Sequence, residues 1–172
     1  MNQDLRKRKK VLFLDVGAYV GLYTVVVGNA FKKYQSKLDI IAFEPEANNF
    51  PGENFKLLKR NVKTNNIKNV ILYKVGVGAT NSSRLNKFGI STKKIDTVLG
   101  KKSRNYDTVF MKLDIEGQET DALRGAKEFI KNSKKTVLLV EDFIDRRLDR
   151  YLRRNEFIPL EKISLKNSFW VK

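Results

Sequence analysis

At 172 residues, with no cysteine, no histidine and a formal net charge of 35 − 19 = +16, the chain reads as one basic domain. That composition excludes disulfides, thiolate chemistry and imidazole-based acid–base or metal work. Its 41% hydrophobic and 31% charged content suits a globular protein with a real core. No run approaches the roughly 18 apolar residues of a membrane span, and MNQDLRKRKK at the start carries no signal-peptide core, so a soluble, intracellular, cytoplasmic protein is expected. The charge reads equally as attraction to a polyanion or acidic substrate and as the Lys-rich surface of a heat-adapted protein.

After a basic N-terminal extension (1–10), Val11–Val16 is an unbroken apolar run closed by glycine, as in a strand buried on both faces. Gly21–Tyr34 has helical spacing, Leu38–Glu44 is a second buried strand, and a helix is expected from about Pro51 to Asn65. Val70–Val75 reads as a third strand. Gly76–Asn105 breaks the rhythm: it is polar and basic, and it reads as a long loop near the mouth of an active site. Thr108–Asp114 follows as a strand, Glu119–Lys131 as a helix, Thr136–Glu141 as a strand and Ile144–Arg154 as an Arg-rich helix. The Arg-rich helix alternates with Asp145 and Asp149, which reads as a solvated face with i,i+4 pairs. Phe157–Ile163 and Ser168–Lys172 have no helix between them and should form an antiparallel hairpin. The pattern predicts a single α/β domain over 1–172: a doubly wound, Rossmann-like, seven-stranded sheet, mostly parallel, with a C-terminal antiparallel hairpin and helices on both faces.

In such a sheet ligands bind outside the carboxyl ends of the strands, near the point where strand order reverses. The first strand ends in Asp15-Val16-Gly17-Ala18-Tyr19-Val20-Gly21. Tyr19 stands where a dinucleotide fold needs its middle glycine, so a pyrophosphate against the backbone would meet a side chain. S-adenosylmethionine carries an ammonium, a carboxylate and a sulfonium. Asp15 for the positive end and the free N–H groups of the following helix for the carboxylate form a matched set. The plainer alternative is an ordinary tight strand–helix turn. Glu44 ends the second strand, where an acid accepts hydrogen bonds from ribose hydroxyls; a solvated strand-end carboxylate is its alternative. Lys112-Leu113-Asp114-Ile115-Glu116-Gly117 and Glu141-Asp142 end the next two long strands. Acids gathered at successive strand ends carry more weight than any one of them.

The segments DVGAYVGLYT, AFEPEANNF, FMKLDIEGQETDALRGA and LLVED, in that order between Val11 and Asp142, resemble the FkbM family of methyltransferases. The resemblance implies a class I methyltransferase fold, S-adenosylmethionine as cofactor, and O-methylation of a hydroxyl on a glycan or another small or polymeric acceptor. By that resemblance Asp15, Gly17, Ala18, Tyr19 and Gly21 line the methionine side, and Glu44 with Pro45 holds the ribose. Asp114 and Glu116 then face the methyl and the acceptor. The family usually has asparagine at the position of Tyr19. The N-terminal helices that often cover the cofactor are here reduced to a basic stretch of ten residues, so an open site, or one completed by the acceptor or a second subunit in a homodimer, is expected.

Methyl transfer is an in-line displacement in which the protein mainly aligns the reactants. Asp114 is the first candidate for the base that receives the hydroxyl proton and Glu116 the second, while Lys112 could steady developing negative charge. Asp114 holding the cofactor's amino group, and Glu116 capping the next helix, are the structural alternatives. A Mg²⁺ shared by Asp114, Glu141 and Asp142 is a further option, because oxygen-only ligands suit that ion. The rivals are methylation of a nucleic acid at ribose or base, and a non-catalytic nucleic-acid-binding module on a methyltransferase fold; both draw on the +16 charge. No Asn/Asp-Pro-Pro-Tyr/Phe motif supports base methylation, and no Tyr-x-x-x-Lys pair supports a nicotinamide dehydrogenase.

Overall fold

A computed structural model describes residues 1–45, 53–83, 90–141, 146–162 and 167–172 of the chain. In chain order the elements are α1 (Asn2–Arg6), β1 (Val11–Val16), α2 (Leu22–Ala30), β2 (Leu38–Phe43), α3 (Asn54–Thr64), β3 (Val70–Tyr73), β4 (Gly76–Val77) and β5 (Thr92–Lys93). They continue with α4 (Ile95–Leu99), β6 (Thr108–Leu113), α5 (Glu119–Arg124), α6 (Lys127–Lys131), β7 (Thr136–Glu141), α7 (Arg146–Arg154), β8 (Ile158–Lys162) and β9 (Asn167–Val171).

The main sheet has seven strands in the order β3-β2-β1-β6-β7-β9-β8. The pairs β1–β2, β2–β3, β1–β6 and β6–β7 are parallel, while β9 pairs antiparallel with both β7 and β8. All six residues of β1 are buried, as its unbroken apolar run requires of a strand covered on both faces. Alternation along β1 feeds two cores: Leu12, Leu14 and Val16 on one face, Val11 and Phe13 on the other. The chain runs outward from β1 to β3 and then crosses to β6, so the strand order reverses between β1 and β6. Across that switch point Asp15 lies in register with Lys112.

Three details differ from the sequence pattern. The basic N-terminal stretch is partly folded: α1 buries Leu5 in the second core. The segment 76–105 is a built crossover in its described part, with β4 and β5 paired in a small parallel sheet and α4 burying Ile95 and Leu99 in the first core. It leads through a 3-10 helix (Gly100–Asn105) down to the start of β6. There Lys102 lines a recess with Asp39, Lys68 and Tyr106 at the amino ends of β2 and β3, and Tyr106 donates to Asp39 at 2.7 Å. That part of the basic segment therefore sits at the opposite end of the sheet from the expected mouth. Residues 84–89, and the expected helix start at Pro51, lie outside the described residues.

The third detail concerns a helix. The single helix expected over Glu119–Lys131 is two, α5 and α6, divided at Gly125 and Ala126. The division is tertiary in origin. Asp96 N donates to Gly125 O at 2.9 Å, and a Cβ on Gly125 would lie 2.0 Å from Gly78 O, so the crossover packs directly on the break. Asp96 Oδ1 and Oδ2 then accept the N–H groups of Phe129 (2.8 Å) and Glu128 (3.3 Å), capping α6 from a remote segment. The Arg-rich helix is described as α7 from Arg146, and the residues preceding it lie outside the described set. Among the described residues no helix is long and apolar enough to cross a membrane.

Asp96→Ala removes the cap of α6 and should destabilise the protein by about 1–2 kcal/mol in urea denaturation, with Asp96→Asn losing less because it keeps an acceptor.

Candidate active site

The turn after β1 is held from three directions. Gly17 N and Ala18 N both donate to Phe43 O at 3.0 Å, tying the turn to the end of β2. Tyr19 N donates to Glu44 Oε2 at 2.7 Å. Thr24, in the first turn of α2, donates through its N and Oγ1 to Asp15 Oδ2 at 2.9 and 2.7 Å, so the buried Asp15 caps α2 from the strand before it. Three residues of the turn have left-handed backbone: Gly17 (φ 79°), Tyr19 (φ 52°) and Gly21 (φ 91°). Glycine at 17 is also demanded by space, since a Cβ there would lie 2.0 Å from Asp114 O. The glycine turn and the loop after β6 are thus in backbone contact.

Lys112 joins them. Its ammonium donates to Gly17 O at 2.7 Å, sits 3.2 Å from Asp114 Oδ2 and 3.6 Å from Asp15 Oδ1, and lies 5.2 Å from the centre of the Tyr23 ring. The side chain is 5% exposed. A buried ammonium is tolerable only where carboxylates and hydrogen bonds surround it, and register across the β1–β6 pair supplies them.

Burial pushes the Asp15 carboxyl above its ordinary range, against the pull of Lys112 and the hydrogen bonds from Thr24. Its Oδ1 has no hydrogen-bond partner. Burial likewise raises Glu44, opposed by hydrogen bonds from Tyr19 N and Asn54. At Asp114 burial pushes upward but is outweighed by a hydrogen bond from Glu141 and by Lys112, so this carboxyl is held below the usual range.

The structure brings Asp15, Gly17, Ala18, Tyr19, Gly21 and Glu44 together with Lys112 and Asp114 along the carboxyl ends of three adjacent strands. Pro45 follows Glu44 and is half-buried. Glu116 stands apart: its side chain is exposed and its backbone is left-handed at φ 55°. The residue that folds its loop is Glu119, buried, whose Oε1 accepts from Ile115 N (3.0 Å) and Gly117 N (3.2 Å). Neither Glu119 nor Thr24 stood out in sequence. The signal for Glu119 is an acid at the first turn of a helix directly after a glycine-containing loop, a position suited to capping. Of the three acids considered for Mg²⁺, Asp114 and Glu141 meet and Asp142 lies outside the described residues. Among the described residues no group of three or more acids is placed to hold a metal ion.

The family model of the methyltransferase FkbM domain matches residues 15–159, which include every element of this rim. The chain belongs to that family. Solved structures of similar fold include a Streptococcus pneumoniae putative tRNA (m1A22) methyltransferase in complex with S-adenosyl-L-methionine (12% identity, TM-score 0.54, 98% of this chain and 71% of that one). CalS11, a TDP-rhamnose 3'-O-methyltransferase of calicheamicin biosynthesis, is similar at 10% identity and TM-score 0.58, over 98% of this chain and 73% of that one. An uncharacterised Listeria monocytogenes protein is similar at 13% identity and TM-score 0.57, over 98% of this FkbM domain but only 64% of that chain. At these identities the likeness is one of fold. No curated protein matches the sequence.

Lys112→Met leaves Asp15 buried without its counter-charge and should destabilise the domain by about 3–5 kcal/mol, with Lys112→Met/Asp15→Asn recovering much of the loss. A raised folded-state carboxyl favours folding at low pH and loses that contribution as pH rises through its pKa. Removing Lys112 raises Asp15 further, so the deficit of Lys112→Met should be small near pH 4 and grow toward pH 8 in denaturation measured across that range.

Proposed function

We propose that this FkbM-family domain binds S-adenosylmethionine on the rim formed by Asp15–Gly21, Glu44 and Asp114, and methylates a hydroxyl oxygen of a sugar-like acceptor. The observation that carries the reading is the set of three carboxylates held at neighbouring strand ends around a left-handed turn that opens a helix. The residues suit the cofactor. Glu44 is a carboxylate whose burial leaves its charge undersolvated, a deficit that two ribose hydroxyls would relieve. Asp15, buried and ion-paired with Lys112 at 3.6 Å, fixes the turn from beneath by capping α2. The first N–H groups of α2 suit a carboxylate.

Bound there, S-adenosylmethionine supplies a methyl group activated by its sulfonium. The chain's own residues do the rest. Glu44 fixes the nucleoside end and, through Tyr19 N, the turn itself. Asp114 is ionised through neutral pH and its side chain is 38% exposed, so an acceptor hydroxyl can reach it and pass its proton to a carboxylate oxygen. Lys112 positions Asp114 and Gly17 relative to each other rather than meeting the acceptor, because it is buried beneath both. Its ammonium 3.2 Å from Asp114 also disfavours a divalent cation at that carboxylate. The FkbM family and a neighbour that acts on TDP-rhamnose favour a hydroxyl acceptor. The tRNA methyltransferases share the fold, and the +16 charge keeps a nucleic-acid ribose as the second reading.

Titration calorimetry with S-adenosylhomocysteine tests the pocket. Glu44→Ala should weaken binding by about a hundredfold, the loss expected for charge-assisted hydrogen bonds. Wild-type affinity should fall as pH is lowered through the raised Glu44 pKa, starting above 4.5, while Glu44→Gln stays flat; unchanged affinity in Glu44→Ala contradicts the placement. A screen with labelled methyl donor over sugars, nucleotide sugars and RNA supplies an acceptor. With it, Asp114→Asn should lower kcat by about 10²–10⁴, a larger loss than its effect on S-adenosylhomocysteine affinity.

A further inference from the structure

The net charge of +16 is not spread evenly over the fold. The segments that enter β1, β2, β3, β6 and β7 (residues 6–10, 31–37, 65–69, 100–107 and 132–135) hold fourteen lysines and arginines and one acid, Asp107. The segments that leave the same strands (residues 17–21, 44–53, 74–75, 114–118 and 142–145) hold seven acids and one cation, Lys74. These five strands are parallel neighbours, so the entering segments lie side by side at the amino end of the sheet, opposite the rim. All five entering segments lie within the described residues, and each of their fourteen cations is exposed. Lys134 pairs with Asp107 at 2.8 Å and Lys9 with Asp4 at 3.4 Å. Among the described residues the other twelve make no ion pair.

We propose that the amino end of the sheet is a docking surface for the phosphate backbone of a nucleic acid, separate from the methyl-transfer rim. Like charges gathered without partners repel one another, and a surface adapted to heat would instead interleave the two signs in networks. Five strands spaced about 4.8 Å apart make a face roughly 19 Å wide. Phosphates lie about 3.4 Å apart along one stacked strand, so roughly six cross that width. Twelve unpaired cations are enough to neutralise them. β1 and β6 have six residues each, a rise of about 20 Å between the two ends of the sheet. That is more than twice the roughly 8 Å over which physiological salt screens a charge, so the acids of the rim do not repel a strand docked here. At the starts of β2 and β3 the face opens into a recess of about 360 Å³, where Asn69, Asn105 and the Tyr106 ring lie beside Lys68 and Lys102. An aromatic ring within a basic groove suits an unpaired base next to its phosphate. A membrane surface would be met by apolar side chains as well as cations, and none of the exposed large hydrophobic residues belongs to the entering segments. The inference stands apart from the methyl-transfer reading, because it assigns the net charge to anchoring and leaves the acceptor to the rim.

Fluorescence anisotropy with a labelled short single-stranded RNA tests this on three proteins: wild type, Lys68→Gln/Lys102→Gln/Lys135→Gln at the strand starts, and the charge-matched control Lys59→Gln/Lys93→Gln/Lys127→Gln on α3, β5 and α6. All six lysines are exposed, so circular dichroism should show the three proteins equally folded. The strand-start triple should bind at least about tenfold more weakly, and its plot of log affinity against log salt should be shallower by about 2, near 0.7 for each lost phosphate contact. The control should stay close to wild type in both. Saturating S-adenosylhomocysteine should leave RNA affinity unchanged. RNA binding with this pattern in a wild-type protein that fails to bind S-adenosylhomocysteine supports the docking surface and overturns only the methyl-transfer reading. Equal losses in the two triples, no loss at the strand starts, or competition between RNA and S-adenosylhomocysteine overturns the docking surface. Vesicles containing phosphatidylglycerol that bind wild type but not the strand-start triple, while RNA binds both alike, replace the nucleic acid by a membrane and overturn the proposal.

Discussion

The ammonium of Lys112, buried among Asp15, Asp114 and the carbonyl of Gly17, is the contact on which the rest of the site depends. Two acids and a cation taken out of water are each costly alone and tolerable together, so removing one member strands the others. The cluster sits where the order of the sheet reverses. It fixes the turn after β1 against the loop after β6, the two backbone segments that any ligand at the switch point must touch. In a chain of +16 net charge it also keeps negative groups concentrated at one rim, where a cation is to be received.

Around that contact, side chains are used chiefly to hold backbone. Asp15 caps α2, Glu44 takes Tyr19 N, and Glu119 takes the amides of Ile115 and Gly117. Each acid thereby stabilises a left-handed or tightly turned segment with unfavourable local conformation. A rim built this way is preorganised: the geometry that meets a ligand is set by protein hydrogen bonds before the ligand arrives. Asp114 is the member left part-exposed, which is why chemistry is assigned to it and positioning to Lys112.

The sheet was legible because parallel strands buried on both faces read as unbroken apolar runs, and β1 and β7 match those runs end to end. The closing hairpin was legible for want of a helix between β8 and β9. Features that depend on distant partners were not. Nothing local in Lys112 states that it lies in register with Asp15, and the break at Gly125 comes from a crossover some thirty residues earlier in the chain. That crossover read as a basic loop because lysines dominate its composition, while the buried apolar residues that anchor it, Val77, Ile95 and Leu99, are few and scattered among polar ones. The same limit explains Glu119: its burial follows from the fold of the loop before it, whereas Glu116, nearer the strand end, points to solvent. On α7 the sequence showed arginines alternating with acids, and the structure leaves Arg147, Arg150, Arg153 and Arg154 exposed, with Arg153 paired to Asp149 at 3.0 Å.

The most direct test of the central claim is a crystal structure of the protein grown with S-adenosylhomocysteine. The account expects the nucleoside along the carboxyl ends of β1, β2 and β6, with ribose hydroxyls on Glu44 and the Lys112 cluster intact beneath the turn. Density for the ligand at any other place, or a bound nucleoside that leaves Glu44 untouched, would contradict it.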